Sequence, residues 1–508
     1  NIADDEVTRV EVIDKTKLSK SGAKVYCLNL ANNHNYFANN LLTHNCIYQW
    51  RGSDPSIILT IGAKFNMQTF VLSTNYRCLN EIVDYAATGI KCNNSRFDKS
   101  MNAFNNGGSV KIYPSIREDL CTLSIAALNQ IKYWLNNGDK VSDIAVLSRN
   151  NFHLALLSNM LLREGIYCNM TEDMKLTKSY MYNDVKDIIS LSEPSWKAEL
   201  TAKLLWKMCR YMGANNSRII ASFQDSCALS LEDTLGWLIK HFVNKDLEFS
   251  KKLNITMQVE QQMQYQMGKL SSEATNDMCT LYKTLSKKGP IFDDNGNEVD
   301  IRIDKITNLL YQYLQANSFM YKSKDKNRSI TGLVQYVINL MKKDGVDKML
   351  DFMRVTEQLE GGRMVIPGEK LTLTTIHSAK GREWKDVIMF GCDNVSQPSF
   401  DGIYGMIQDD IPMSDIFENI DEERRLFYVG NTRAKENLFV ITYMQPSIFI
   451  LEALGAFKDK NGGNNATIVE LVSDNQWQEK YKSLIQEKIL NTDSKYFYNP
   501  EDYKVKDN

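Results

Sequence analysis

From Val71 onward the chain alternates between short apolar runs and longer stretches in which apolar residues recur every three or four positions. The first run leads through Asn75-Tyr76-Arg77 into a stretch with Ile82, Val83, Ala86 and Ile90 on one helical face. Residues 142–151, SDIAVLSRNN, predict a buried strand that ends on Arg149 and Asn150. The helical pattern that follows stops at Gly165. Residues 371–391 hold two more buried strands, LTLTTI and DVIMF, around the polar loop HSAKGREW. Small and charged residues gathered between two apolar strands suit a site at the strand ends of a parallel sheet. Residues 421–442 predict a charged helix, a Thr-Arg-Ala turn and one further buried strand; by itself such a charge run reads as a solvated face. The segment 194–362 is mainly helical by pattern, Gly462-Gly463 marks a linker, and the remaining tail is polar with little periodicity.

At 508 residues several domains are expected, and the hydrophobic (43%) and charged (24%) fractions are those of ordinary globular protein. The formal net charge of −2 gives no global basic signal, so any nucleic acid must bind in a local groove. Ten cysteines occur without a C-x-x-C pair, which removes support for zinc ribbons and redox motifs; no metal site is expected. Free thiols and the absence of a signal peptide predict a cytoplasmic location, and no apolar run reaches the ~20 residues of a membrane span.

Near the amino end, the runs VYCLNL and NYFANNLLT predict short β-strands leading to His44-Asn45-Cys46. An asparagine amide can attack its own carbonyl, close a succinimide and cut the chain, and a neighbouring histidine can protonate the departing amine. The thiol that follows is a competent acyl acceptor. Residues 25–45 resemble the two C-terminal blocks of an intein. On that resemblance His44 is the penultimate histidine, Asn45 the cyclising asparagine, Cys46 the first residue beyond the cut, and His34 the upstream block histidine. Cys27 stands where inteins often have Asp. The expectation is a C-terminal intein segment over residues 1–45, belonging either to a split intein or to a fragment of a longer gene.

Past the cut, Tyr48, Trp50 and Arg51 alternate ring and cation, a composition that stacks single-stranded nucleic acid and equally one that anchors a loop to a core. Tyr76 beside Arg77 can stack a base and pair a phosphate. Four stretches in order, CIYQWRG, NYRC, TIHSAKGREW and EERRLFYVGNTRA, resemble the later motifs of the UvrD/Rep/PcrA helicases of superfamily 1. The resemblance implies an α/β fold with RecA-like P-loop NTPase-type motor domains, the first incomplete, and a helical insertion. The expected boundaries are 46–74 for the remainder of the first motor domain, 75–193 and 366–445 for the second, 194–365 for the insertion and 446–508 for a C-terminal tail.

The same resemblance assigns Trp50, with Tyr48 and Arg51, to the tracked DNA strand and Tyr76 to the adenine. Arg77 and Arg433 go to the γ-phosphate, Glu383 to the ribose beside Gly381, and His377 and Lys380 to the link between nucleotide and DNA. Residues 209–218 are similar to the family's duplex-phosphate loop, with Gly213 as its glycine; an ordinary helix–helix turn fits the same residues. The implied ligands are ATP and Mg²⁺, and the implied partners are single-stranded and duplex DNA and an upstream intein/helicase fragment. Cys46, Cys78, Arg382 and Trp384 depart from the family pattern, and neither the G-x-x-x-x-G-K-[ST] phosphate loop nor the acidic Mg²⁺ motif occurs in the chain. The expectation is a 3′-to-5′ DNA translocase completed by joining at Asn45/Cys46, with this chain alone inactive as an ATPase. A DNA-binding module without ATPase, and an autoprocessing element with a passenger, are the alternatives.

Overall fold

Runs of residues buried at successive positions, as Ile144–Ser148 and residues 386–390 are here, can be accommodated only where both faces of a sheet are covered. In the computed structural model the chain is described from residue 71 to 490, except residues 95, 97–98, 116, 170, 172–174, 192–196, 246–254, 293–295, 297, 321–323, 362–367, 457–463 and 474–476. Residues 35–38, 41–44, 63–64, 66 and 495–496 are described as well. Strands β1 (Asn35–Ala38) and β2 (Leu41–His44) pair antiparallel as a sheet of their own, with Asn35 opposite His44. Strands β3 (Thr74–Asn75) and β4 (Asn102–Ala103) form a short parallel ladder. The main sheet contains β5 (Ser109–Pro114), β6 (Ile144–Ser148) and β7 (Cys168–Asn169). After a small hairpin of β8 (Ile291–Phe292) and β9 (Glu298–Val299), it is completed by β10 (Leu371–Thr375), β11 (Trp384–Phe390) and β12 (Ala434–Thr442). Its order is β5-β12-β11-β6-β10-β7 and every pairing is parallel.

Period-two alternation divides the strands between two cores. Ile144, Val146, Ile388, Phe390, Phe439 and Ile441 face helices α1 (Leu120–Asn136) and α2 (Asn151–Arg163) and the helical residues beyond them. Ala145, Leu147, Val387, Met389, Leu438 and Val440 face the other way, toward the helix Asn80–Ile90 and the helix Met413–Asn431. The described residues between 198 and 360, between β7 and β10 in the chain, are mainly helical, with the β8–β9 hairpin and short turns between the helices. Part of this run packs directly on the sheet layer. Gly332, in the helix Lys324–Asp344, lies so close to α1 that a Cβ there would sit 2.7 Å from the Leu120 Cβ. Arg328 of the same helix pairs with Asp393 beyond β11 and with Glu118 ahead of α1.

The C-terminal residues differ from the patternless tail expected. The helices Ile448–Ala453, Asn464–Ser473 and Trp477–Lys488 pack into the second core, where Ile468, Tyr481, Ile485 and Ile489 are buried. Tyr481, Ile485 and Ile489 recur at four-residue spacing, a one-sided stripe short enough to be lost among the polar residues around it. The chain then returns to the sheet: the Ile112 N–H of edge strand β5 donates to the Tyr496 carbonyl at 2.9 Å, covering an otherwise open edge.

The charged helix Met413–Asn431 is not a solvated face. Arg424 is 1% exposed, and each of its five N–H groups has an acceptor. Nε and Nη2 donate to Glu452 (2.6 and 2.9 Å), Nη1 to Asn93 and Asp421 (2.8 and 2.9 Å), and Nη2 also to Asn465 (2.8 Å). Burial acts to lower the Arg424 pKa, and Glu452 and Asp421 outweigh it and raise it. Removing the guanidinium would leave the buried carboxylates of Glu452 and Asp421 uncompensated. Arg424→Ala is therefore expected to lower stability by about 3–5 kcal/mol in urea unfolding; a loss below about 1 kcal/mol would mean the network does not hold these helices.

Candidate functional site

At the amino ends of β11 and β12 four segments meet, and the Asn75-Tyr76-Arg77 turn is the first. The Asn75 side-chain oxygen accepts the backbone N–H of Arg77 (2.8 Å) and of Cys78 (3.0 Å), a local turn that brings the chain from β3 toward the helix Asn80–Ile90. Leu79 N–H donates to the Lys435 carbonyl (2.9 Å) and so fastens this turn to β12. The turn leaves Tyr76 70% exposed and directs Arg77 inward. Cys78, where the family has serine, is buried, and its thiol donates to the Thr432 carbonyl (3.5 Å) as a hydroxyl would. Burial raises its pKa despite the nearby Arg77, so the thiol is neutral.

Arg77 Nε meets the Glu383 carboxylate at 2.6 Å, and Lys435 Nζ meets the other oxygen of that carboxylate at 2.9 Å. Burial acts to raise the Glu383 pKa, but the hydrogen bonds from Lys435 and Arg77 prevail and hold it below the ordinary glutamate value. Arg433 is bound differently. Its Nε donates to the Val429 carbonyl (2.9 Å), Nη1 to the Arg382 carbonyl (3.1 Å) and Nη2 to the Thr432 hydroxyl (3.4 Å). All three acceptors are neutral. Burial, and then the charge of Arg77, push the Arg433 pKa down, yet a guanidinium remains protonated. Among the described residues, three cations, Arg77, Arg433 and Lys435, thus gather around the Glu383 carboxylate. An electrostatic surplus of this kind favours a further anion.

The loop between β10 and β11 starts at the carboxyl edge of the sheet, where Ile376 N–H donates to the Ser148 carbonyl (3.0 Å), and returns to the amino edge at Trp384. His377 and Lys380 lie half-buried along it. Gly381 takes φ +80° with open space around it, a conformation that suits glycine. The Arg382 guanidinium lies 4.8 Å from the centre of the Trp384 ring, which joins two of the residues that depart from the family pattern. At the opposite, carboxyl edge, Arg149 makes a two-pronged ion pair with Glu423 (2.8 and 3.2 Å).

The structure therefore places Tyr76, Arg77, Glu383 and Arg433 at one end of the sheet, with Gly381 on the loop leading to Glu383, and adds Lys435, which sequence reasoning passed over although it stands two residues after Arg433. Gly213 lies elsewhere, ahead of the helix Ala214–Ser226 in the helical segment, with φ +71° and nothing near its absent Cβ. His44 is described only as the last residue of β2. His34, Asn45, Cys46, Tyr48, Trp50 and Arg51 lie outside the described residues.

The family profile described as the UvrD-like helicase C-terminal domain matches residues 70–445, from just ahead of the Asn-Tyr-Arg turn to just past β12. The chain belongs to this UvrD-like helicase family. Among curated relatives, the ATP-dependent DNA helicase PcrA of Bacillus subtilis is 25% identical over 411 residues, covering 79% of this chain and 50% of the relative. The ATP-dependent DNA helicase Rep of Buchnera aphidicola (subsp. Acyrthosiphon pisum) is 25% identical over 436 residues, covering 80% and 60%. DNA helicase II of Haemophilus influenzae is 25% identical over 412 residues, covering 78% and 49%. The chain spans about half the length of the curated relatives it matches. No helix among the described residues is long and apolar enough to cross a membrane.

One further charge in this UvrD-like domain lies just inside the amino edge. Asp386 on β11 is buried; Asn437 donates to one of its oxygens (2.6 Å), and the other has no hydrogen-bond partner among the described residues. Burial raises its pKa to about 6, against the opposing hydrogen bond from Asn437. The folded state thus holds this proton more tightly than the unfolded chain. Its contribution to stability is fully present below about pH 4 and is lost as pH rises through about 6. Asp386→Asn should accordingly stabilise the protein by on the order of 2 kcal/mol at pH 7, with the gain shrinking to nothing near pH 4, as measured by thermal unfolding across pH. A gain independent of pH would show that ionisation of Asp386 is not its source.

Proposed function

We propose that this chain is the C-terminal part of an ATP-dependent 3′-to-5′ DNA helicase, supplying the second half of an ATP cleft between two RecA-like domains. The observation that carries the reading is the gathering of Arg77, Arg433 and Lys435 around Glu383, above all a buried Arg433 whose acceptors among the described residues are all neutral oxygens. In this reading Arg77 and Arg433 take the developing charge of the terminal phosphate, Tyr76 stacks the base, and Glu383 releases Arg77 to reach the ribose. In the same reading the phosphate loop and the Mg²⁺ ligands come from an upstream portion. His377 and Lys380, on the same loop as Glu383, connect the cleft to DNA held by Tyr48, Trp50 and Arg51, and Gly213 meets duplex phosphate. Closing and reopening the cleft moves the strand.

The junction belongs to the same proposal. Residues 1–45 act as an intein segment, with His44 assisting Asn45 cyclisation and Cys46 receiving the upstream portion. The antiparallel pairing of β1 with β2, in a sheet separate from the main one, supports it.

Two experiments test the proposal. Co-expression with the upstream reading frame, followed by intact-mass measurement, should yield a joined product lacking residues 1–45. Asn45→Ala should abolish it; a product that keeps those residues in the unsubstituted protein would refute splicing. In the joined product, Arg77→Ala or Arg433→Ala should reduce DNA-stimulated ATP turnover by roughly 10³-fold or more. Turnover within about threefold of the parent would remove both arginines from the phosphate site.

A further inference from the structure

Tyr76 is not alone at the rim of the site. Its ring centre lies 4.9 Å from that of Phe104, with the planes inclined at 37°, within the range of favourable aromatic pairs. Both rings are on the surface, Tyr76 at 70% and Phe104 at 64% exposure. Two large rings left in water on a loosely held backbone would need no explanation, but this backbone is clamped. Asn102 N–H donates to the Ser73 carbonyl (2.8 Å) and Phe104 N–H to the Asn75 carbonyl (2.8 Å). On the far side Asn80 N–H donates to the Asn105 carbonyl (3.2 Å), and the Asn80 side chain accepts the Gly107 N–H (2.6 Å). The return turn needs two successive left-handed glycines, Gly107 (φ +104°) and Gly108 (φ +92°), and a Cβ at Gly108 would meet the Leu79 Cβ at 2.9 Å. The segment 102–108 is thus laid along the 73–81 turn so that Phe104 arrives beside Tyr76.

We propose that Phe104 is a positioning residue for the nucleotide base, backing the Tyr76 ring and holding it in the orientation in which the base stacks. The inference rests on the reading of Tyr76 as the base-stacking residue. An exposed tyrosine with nothing behind it samples several rotamers and must be immobilised when a ligand stacks on it. A ring already in place on one side removes part of that cost before the nucleotide arrives. The consequence is tighter binding of the base, with the phosphoryl-transfer groups untouched.

The test uses the joined protein and steady-state ATPase with saturating single-stranded DNA. Phe104→Ala should raise the KM for ATP about three- to tenfold, the increase falling on KM and not on kcat. Phe104→Tyr should restore the parent value, whereas Phe104→Leu, apolar but without a ring, should not. Tyr76→Ala should raise KM further, and adding Phe104→Ala to it should change nothing more, because the ring it supports is gone. If Tyr76→Ala raises KM while Phe104→Ala leaves it at the parent value, or if the two effects simply multiply, the positioning role is overturned and the base-stacking reading stands. If Tyr76→Ala itself leaves KM unchanged, the base-stacking reading falls, and the role of Phe104 falls with it.

Discussion

A single buried guanidinium organises this domain. Arg424 collects acceptors from the end of the first helix of the second core (Asn93), from its own helix (Asp421), from the helix after β12 (Glu452) and from the C-terminal helices (Asn465). A charge taken from water costs several kcal/mol unless its hydrogen bonds are complete. Here they are complete, and the requirement that all five be met simultaneously allows little variation in how these segments sit relative to one another. The Asn93 and Asn465 amides are themselves engaged: Asn93 donates to the Asp421 carbonyl (3.1 Å) and Asn465 to the Asp421 carboxylate (2.8 Å). The helix so fixed ends at Asn431, and the next two residues are Thr432 and Arg433. The same buried network that holds the second core therefore also sets where the site arginine emerges.

The site combines two ways of holding a cation. Arg77 shares a carboxylate with Lys435, an arrangement that solvent screens and that an arriving anion can reopen. Arg433 is largely buried and bound to backbone carbonyls and a hydroxyl, so it keeps its position without surrendering its charge. Sites in parallel α/β sheets commonly lie at the carboxyl ends of the strands. This cluster lies at the amino ends, because the β10–β11 loop folds back along the sheet and because the turns entering β11 and β12 carry Glu383, Arg433 and Lys435. The carboxyl edge carries Arg149 and Glu423, which neutralise each other.

Much of this was legible in the linear sequence. β6, β10, β11 and β12 show as apolar runs because strands buried on both faces tolerate few polar residues. Tyr76, Arg77, Gly381, Glu383 and Arg433 were identified through motif resemblance; all but Gly381, which lies on the loop leading to Glu383, stand at one end of the sheet. The role of the charged helix was not legible: Arg424 finds Glu452 at 28 residues, Asn465 at 41 and Asn93 at 331, and no local pattern encodes acceptors so distant. The C-terminal helices were missed for a related reason, since the Tyr481-Ile485-Ile489 stripe has meaning only against the core it completes. Phe104 belongs to no motif and becomes visible only when a ladder of backbone hydrogen bonds sets it beside Tyr76.

By itself, then, the sequence determined membership of the UvrD-like family, the parallel α/β character and which basic and aromatic residues stand in the family's motifs, because composition and short-range order carry that information. Tertiary structure alone decided which charges are buried and which are solvated, at which edge of the sheet the cations meet, and that Arg433 has neutral acceptors among the described residues. Those properties depend on groups brought together from remote parts of the chain, and on the dielectric that their packing creates.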